Sequence, residues 1–285
     1  MALFTKAKTG PYIWMFLVLI ISLSKAFGQD ESMMLNTQVE ALDGHLTEPE
    51  FIFARGKYTN YPTEEGSEYY NWWRNRAWWE TDYDDADQNL LRGVQRYTTL
   101  NTSPTAYKTM SLTDPELFEY TFLYINMKRI PLYSGNGPNF KPEEAAALRE
   151  YMMRGGFVML DDFWGPEHWE DFLMELRKIF PDRKLEKLAI THAVFHCFYD
   201  INEIKQVPGR GVTWNFSWGF TLDNPDYPTS VHGVSDDNGR LMMLVNFNTD
   251  LGDGWEHTFD RFYPTRYCNE AYKLGINYII YAMSH

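Results

Sequence analysis

Cysteine is nearly absent from this chain: Cys197 and Cys268 are the only two among 285 residues. Without a paired cysteine spacing, a structural zinc site and a disulfide-stapled small fold are both excluded. Two readings stay open, a single disulfide in an exported protein or two buried free thiols. Positive charge is scarce too. Lys and Arg number 26 against 39 Asp and Glu, a formal net charge of −13. No basic stripe interrupts that excess, which argues against nucleic acid as a partner and disfavours anionic membrane surfaces. The chain also lacks an apolar run of the roughly 20 residues that a spanning helix needs. It has no Gly-rich phosphate loop, no Gly-x-Ser-x-Gly elbow and no internal repeat.

What is present begins with a positive stretch, Lys6 and Lys8, an apolar core from Tyr12 to Leu23, and Ala26-Phe27-Gly28. That order is the pattern of a signal peptide over residues 1–28, cleaved before Gln29, or of an uncleaved anchor. Either one sends the remainder to the periplasm or the outer face of the cytoplasmic membrane. Membrane contact is then expected only through an uncleaved N-terminal segment. Residues 29–49 are polar and patternless, and read as a flexible leader. The remaining residues 50–285 suffice for one substantial core, so a single domain is expected.

Within that domain, short apolar runs alternate with helical periodicity. Phe51-Ile52-Phe53-Ala54 opens a strand, and Leu90, Leu91, Val94 and Tyr97 share one helical face. Phe122 to Ile125 is a second buried strand. Lys141-Pro142 starts a helix that Gly155-Gly156 ends, and Phe157 to Leu160 is a third strand before a helix from Pro166. Buried strands alternating with amphipathic helices predict a mostly parallel sheet covered on both faces. Ala193 to Phe195 and Cys197 to Tyr199 read as extended. Val231 to Val234 and Leu241 to Val245 flank Asn238-Gly239, a hairpin signal. A last helix is expected from about Asn269 to Met283.

The stretch after Leu160 carries the most chemistry. Asp161 and Asp162 end a buried strand, and ligands of open α/β sheets collect beyond the carboxyl ends of strands. One of the pair can serve as an acid/base group or cation ligand; the plain alternative is a helix cap paired with Arg or Lys. His192 and His196 stand four apart, which suits zinc on a helix. In an extended segment that offset spans about 13 Å, too far for one ion, so His192 alone is the better site candidate. The segment from Asn248 to His257 is rich in Asp and Gly and offers oxygen ligands, or a polar self-capping turn. Trp72, Trp73, Trp78 and Trp79, interleaved with Arg74 and Arg76, read mainly as a roof over the sheet, with Trp79 and Asp82 at a pocket wall.

These residues, taken in order, resemble a known family. Phe53 to Tyr58, Trp79 with Asp82 and Asp87, Phe122-Leu123-Tyr124, Leu148-Arg149, Gly155-Gly156-Phe157, Asp161-Asp162, His192, Asp250 to Glu256, Leu274 to Asn277 and Tyr281-Ala282 are similar to the bacterial domain of unknown function 4159. The resemblance spans nearly all of residues 51–283. It implies a three-layer flavodoxin-like sandwich related to class I glutamine amidotransferases, with a C-terminal β-hairpin extension and often an exported or tethered location. Amidotransferases of this fold place Cys at the elbow, with His and Glu completing a triad. Here Asp161-Asp162 occupy that position, so glutaminase activity is not expected.

The expected crevice is lined by Arg55, Tyr58, Asp161, Asp162, His192, Asp253, Trp255 and Glu256. No cofactor is predicted, although a divalent cation fits such a set, and no metal ligand is assigned. The expected role is a non-catalytic binding or interaction module of the cell envelope, its partner an envelope protein or small ligand. The alternative is a cation-assisted hydrolase of envelope peptides or glycans.

Overall fold

The computed structural model describes residues 48–60, 77–128, 137–210 and 227–285. The expected signal segment, residues 29–47 of the expected leader, and Trp72, Trp73, Arg74 and Arg76 lie outside the described residues. Among the described residues seven strands form one sheet: β1 (Phe53–Lys57), β2 (Tyr107–Ser111), β3 (Phe122–Asn126), β4 (Phe157–Asp161), β5 (Glu186–Lys187), β6 (Ser230–Ser235) and β7 (Leu241–Phe247), in the spatial order β2-β1-β3-β4-β7-β6-β5. The first five in that order run parallel; β6 pairs antiparallel with β7, and β5 with β6. The expected mostly parallel α/β sheet is therefore present.

Helices cover both faces. They are α1 (Asp85–Tyr97), α2 (Pro142–Met153), α3 (Gly165–Ile179), α4 (Leu251–Glu256) and α5 (Thr265–Ser284). Strand alternation divides the core in two. Leu123, Ile125, Val158 and Leu160 pack with Leu148 and Phe172 of α2 and α3. Phe122, Tyr124, Phe157 and Met159 pack with Leu90, Trp255 and Leu274 of α1, α4 and α5. Every residue of β3 and β4 is buried. That is why these strands read as unbroken apolar runs rather than as alternating ones.

Asp114 caps the short 3-10 turn Pro115–Glu119 by accepting from the Glu116 backbone N–H at 3.0 Å. Gly155 ends α2 at φ +114, a backbone region that favours glycine. At Gly275 the reason for glycine is proximity: a Cβ there would stand 2.7 Å from the Trp255 ring and 3.2 Å from Leu90. Gly275→Val is expected to cost about 1–3 kcal/mol by overpacking, read as a shifted urea midpoint with unchanged slope.

The segment expected to be extended, residues 193–199, is not. Ala193–Phe195 is a 3-10 turn, capped by His192 Nδ1, which accepts from the Val194 backbone N–H at 3.1 Å. The turn drives Val194 and Phe195 into the core beside α5, a gain that straight backbone would forgo. Both cysteines are free. Cys197 Sγ points to the Asn277 carbonyl at 3.1 Å and Cys268 Sγ to the His257 carbonyl at 3.9 Å. Among the described residues, no helix is long and apolar enough to cross a membrane.

Candidate functional site

Parallel pairing puts the carboxyl ends of β1, β3, β4 and β7 on one rim. Because β2 and β3 flank β1 on opposite sides, the chain reverses direction there and leaves a crevice at that rim. Asn126 ends β3 and Asp161 ends β4, with Asp162 one residue beyond. Asn248 follows β7, and Asp250 is the N-cap of α4. Asp82 comes from the loop after the 3-10 turn Trp78–Glu80. Asp82, Asp162 and Asn248 have φ of 62°, 62° and 57°, and they are the only non-glycine residues in that region among those described. Side chains at such positions are held there by their surroundings and tend to mark functional sites.

Each carboxylate has a definite setting. Asp161 is fully buried. Its Oδ2 accepts from the backbone N–H groups of Leu251 at 2.8 Å and Gly252 at 3.0 Å, and from the Tyr124 hydroxyl at 3.3 Å. Asp161 thus caps a helix, but it is α4, distant in sequence, rather than α3, which follows it. The Gly165 N–H at the start of α3 donates instead to Asn248 Oδ1 at 2.8 Å. Asp162 accepts from Trp164 Nε1 at 2.9 Å, and its Oδ2 lies 2.9 Å from Lys128 Nζ. Asp250 Oδ1 accepts from the Asp253 N–H at 2.8 Å. Asp253 Oδ2 accepts from the Arg210 N–H at 2.6 Å, while its Oδ1 lies 3.5 Å from His257 Nε2. Asn126 Nδ2 donates to Asp82 Oδ2 at 3.3 Å.

Lys128 is the cation this cluster faces: it acts on Asp82, Asp162, Asp250 and Asp253. A single ammonium cannot balance so many buried acids, and each uncompensated buried ion costs several kcal/mol. Protons take up part of the imbalance. Burial, then the neighbouring Asp162 charge, raises Asp161 to about 7. Burial followed by the surrounding acids holds Asp82 and Asp250 well above the ordinary carboxylate range. Burial also raises Asp162, against the pull of Lys128. Asp253 goes the other way. Burial pushes it upward, but the His257 hydrogen bond and the Lys128 charge bring it down to about 2.

Of the residues expected in the crevice, Asp161, Asp162 and Asp253 meet there. Glu256 borders it, its Oε2 3.1 Å from His257 Nε2. Arg55 is behind the site, fully buried and bidentate to Asp87, with Nη1 donating to the Thr81 carbonyl at 2.9 Å and the Trp79 carbonyl at 3.2 Å. Its donors are spent on the protein, so it positions the loop that carries Asp82. Tyr58 packs on Phe140 on the α2–α3 face, and its hydroxyl has no hydrogen-bond partner among the described residues. Trp255 is core, 5.8 Å from the Tyr124 ring. His192 is elsewhere: its ring lies 6.0 Å from Tyr281, whose hydroxyl accepts from the backbone N–H of Leu241, the first residue of β7. That is the opposite rim of the sheet. His196 is engaged by Asp200 and, at 2.7 Å, by the Ile190 carbonyl, so the histidine pair forms no metal site.

Asn126 and Lys128 are not among the residues expected from the sequence, and Asp250 enters there only within the Asp- and Gly-rich segment from Asn248 to His257. The signal for the first two was available: Asn126 and Lys128 follow directly on the apolar run Phe122 to Ile125, at the same carboxyl edge that singled out Asp161. Neither cysteine lies at the β4–α3 turn.

The model of a family described as "Domain of unknown function (DUF4159)" matches residues 69–283. No curated protein matches the chain.

Proposed function

The chain belongs to the DUF4159 family, and we propose that it is an exported binding module whose crevice takes a ligand presenting positive charge. The observation that carries this is the convergence of Asp82, Asp162, Asp250 and Asp253 around Lys128, with Asp161 beside Asp162, on one sheet rim. The strand order β2-β1-β3-β4-β7 supports the finer description of a flavodoxin-like, degenerate amidotransferase-like sandwich. An aspartate in the left-handed turn after β4 supports the absence of glutaminase chemistry. The N-terminal pattern supports an envelope address. A hydrolytic role, the second reading, draws on Asp161 alone: a buried carboxyl near neutrality suits general acid–base work.

Melting curves with short peptides bearing free side-chain amines, neutral glycans as controls, and simple metal salts test the binding reading. A cationic probe at a hundredfold excess over its Kd is expected to raise Tm by about 5–10 °C. Asp162→Asn and Asp250→Asn are expected to abolish that rise. No shift with any cationic probe, organic or metallic, would overturn the reading. Product release from peptides or glycans would favour the hydrolase.

A further inference from the structure

We propose that Asp82, Asp250 and Asp253 together hold one hard divalent cation, a ligand that names the positive charge the crevice takes and so rests on that reading. One oxygen from each of these carboxylates lies within 4.8 Å of the others. Oxygens bound to one calcium-sized ion at about 2.3–2.6 Å are separated by distances up to about that value. The three residues come from the loop after Trp78–Glu80, the cap of α4 and the first turn of α4, so the fold, not one local turn, assembles them.

Acidic groups gather on many proteins without an ion, and a separate feature points to a ligand here. Asp250 is 0 % exposed; its Oδ1 is used on the Asp253 N–H, and its Oδ2 has no hydrogen-bond partner among the described residues. That oxygen faces the cluster. A Cβ on Gly209 would stand 3.4 Å from both Asp250 Oδ2 and Asp253 Oδ2, so the two atoms border the same small space. A Cβ on Gly252 would collide with Asp82 Oδ2 from another side. The missing Cβ of Gly209 leaves room beside two of the carboxylates, and that of Gly252 leaves the place that Asp82 Oδ2 takes. A buried acceptor without a partner is costly whether it is ionised or held neutral by a proton, and a cation removes that cost.

The donor set chooses the class of ion. Three carboxylates and no sulfur or imidazole favour Ca²⁺, Mg²⁺ or Mn²⁺ over Zn²⁺ or Cu²⁺. His257 Nε2 lies 3.5 Å from Asp253 Oδ1 and groups with Glu256 on the neighbouring side of Asp253, outside the Asp82–Asp250–Asp253 set. Lys128 Nζ lies 2.9 Å from Asp162 Oδ2 and 3.9 Å from Asp250 Oδ2. It stays anchored on Asp162 and opposes the ion by charge without filling its place.

The test uses the full chain, stripped with chelator and titrated with Mn²⁺ by electron paramagnetic resonance and calorimetry, with Ca²⁺ as competitor. One equivalent of Mn²⁺ displaced by Ca²⁺ is expected. Asp250→Asn keeps the Oδ1 that caps α4 and should fold; its affinity is expected to fall at least about tenfold. Lys128→Met, which removes the opposing charge, is expected to tighten binding several-fold. Asp182→Asn, a surface partner of Arg149, serves as the unaffected control. Failure to bind Mn²⁺ or Ca²⁺ at millimolar concentration, with amine peptides still bound, would overturn the cation and leave the crevice reading standing. Failure of both would overturn both. Stoichiometric metal unaffected by Asp250→Asn and Lys128→Met would place the ion elsewhere and overturn this assignment.

Discussion

Replacing Arg55 with methionine is expected to remove about 3–5 kcal/mol of stability, a fall of about 10 °C in Tm for a unit of this size. The guanidinium is fully buried, as is Asp87, and two of its nitrogens engage that carboxylate. Methionine fills much of the volume but leaves Asp87 a lone charge in the core. Burial opposes the charge on Arg55, and the field of Asp87 more than restores it, so the pair stands or falls together. The loss extends to the rim. Nη1 of Arg55 holds the carbonyls of Trp79 and Thr81, immediately before Asp82. Ligand affinity is therefore expected to drop although Arg55 touches no ligand. Adding Asp87→Leu to Arg55→Met should recover part of the lost stability, a non-additivity that urea unfolding of the four proteins would measure. A single-variant cost below about 1 kcal/mol would show that the pair is not the anchor described.

The second large effect concerns pH. Asp161 in the folded protein titrates near 7, against 3.8 for a free side chain. Its folded pKa is raised, so the folded state holds the proton more tightly than the unfolded chain. Its contribution to stability is complete below pH 3.8 and is lost as pH climbs through 7. At 1.36 kcal/mol per unit, the full loss approaches about 4 kcal/mol. With chelator present, the protein is expected to be less stable at pH 8 than at pH 5. Asp82, Asp162 and Asp250 pull in the same direction, opposed by Lys128, while Glu256, raised by its own burial, adds slightly at the border. His257, which burial would lower but the Asp253 hydrogen bond raises, pulls in the same direction, while Asp253 works in the opposite sense, losing its contribution only as pH falls from about 4 toward 2. Asp161→Asn retains one oxygen for the Leu251 and Gly252 N–H groups and never ionises. It should flatten the decline between pH 5 and pH 8, read from denaturant midpoints at both values. A wild-type protein more stable at pH 8 than at pH 5 in chelator would contradict the buried-acid description.

Much of the scaffold was legible because its signals are local. Phe122 to Ile125 and Phe157 to Leu160 are apolar throughout because parallel strands are covered twice, and Gly155 marks a helix end for conformational reasons. The aspartates at the end of β4 were found by the same logic, since a strand's carboxyl edge can be located from its sequence. What stayed hidden is set by contacts between distant segments. Asp161 caps a helix ninety residues away, an association that no spacing reveals. Arg55 and Trp255 sit in quoted motifs but serve the interior, because polarity and motif membership do not say which way a side chain faces. His192 stands on the rim opposite the crevice, in a segment whose apolar residues suggest extended backbone but which burial of Val194 and Phe195 bends into a turn.

The three left-handed residues at the rim carry one more implication. Aspartate and asparagine tolerate that backbone better than most residues, yet glycine would relieve roughly 1 kcal/mol at each place. Selection for heat resistance alone would therefore drift toward glycine at Asp82, while at Asp162 and Asn248 the lost Lys128 pair and α3 cap offset the relief. The survivors would be sturdier and emptied of a group that makes the cleft worth keeping, so endurance and recognition are opposed in this protein at the level of a single backbone angle.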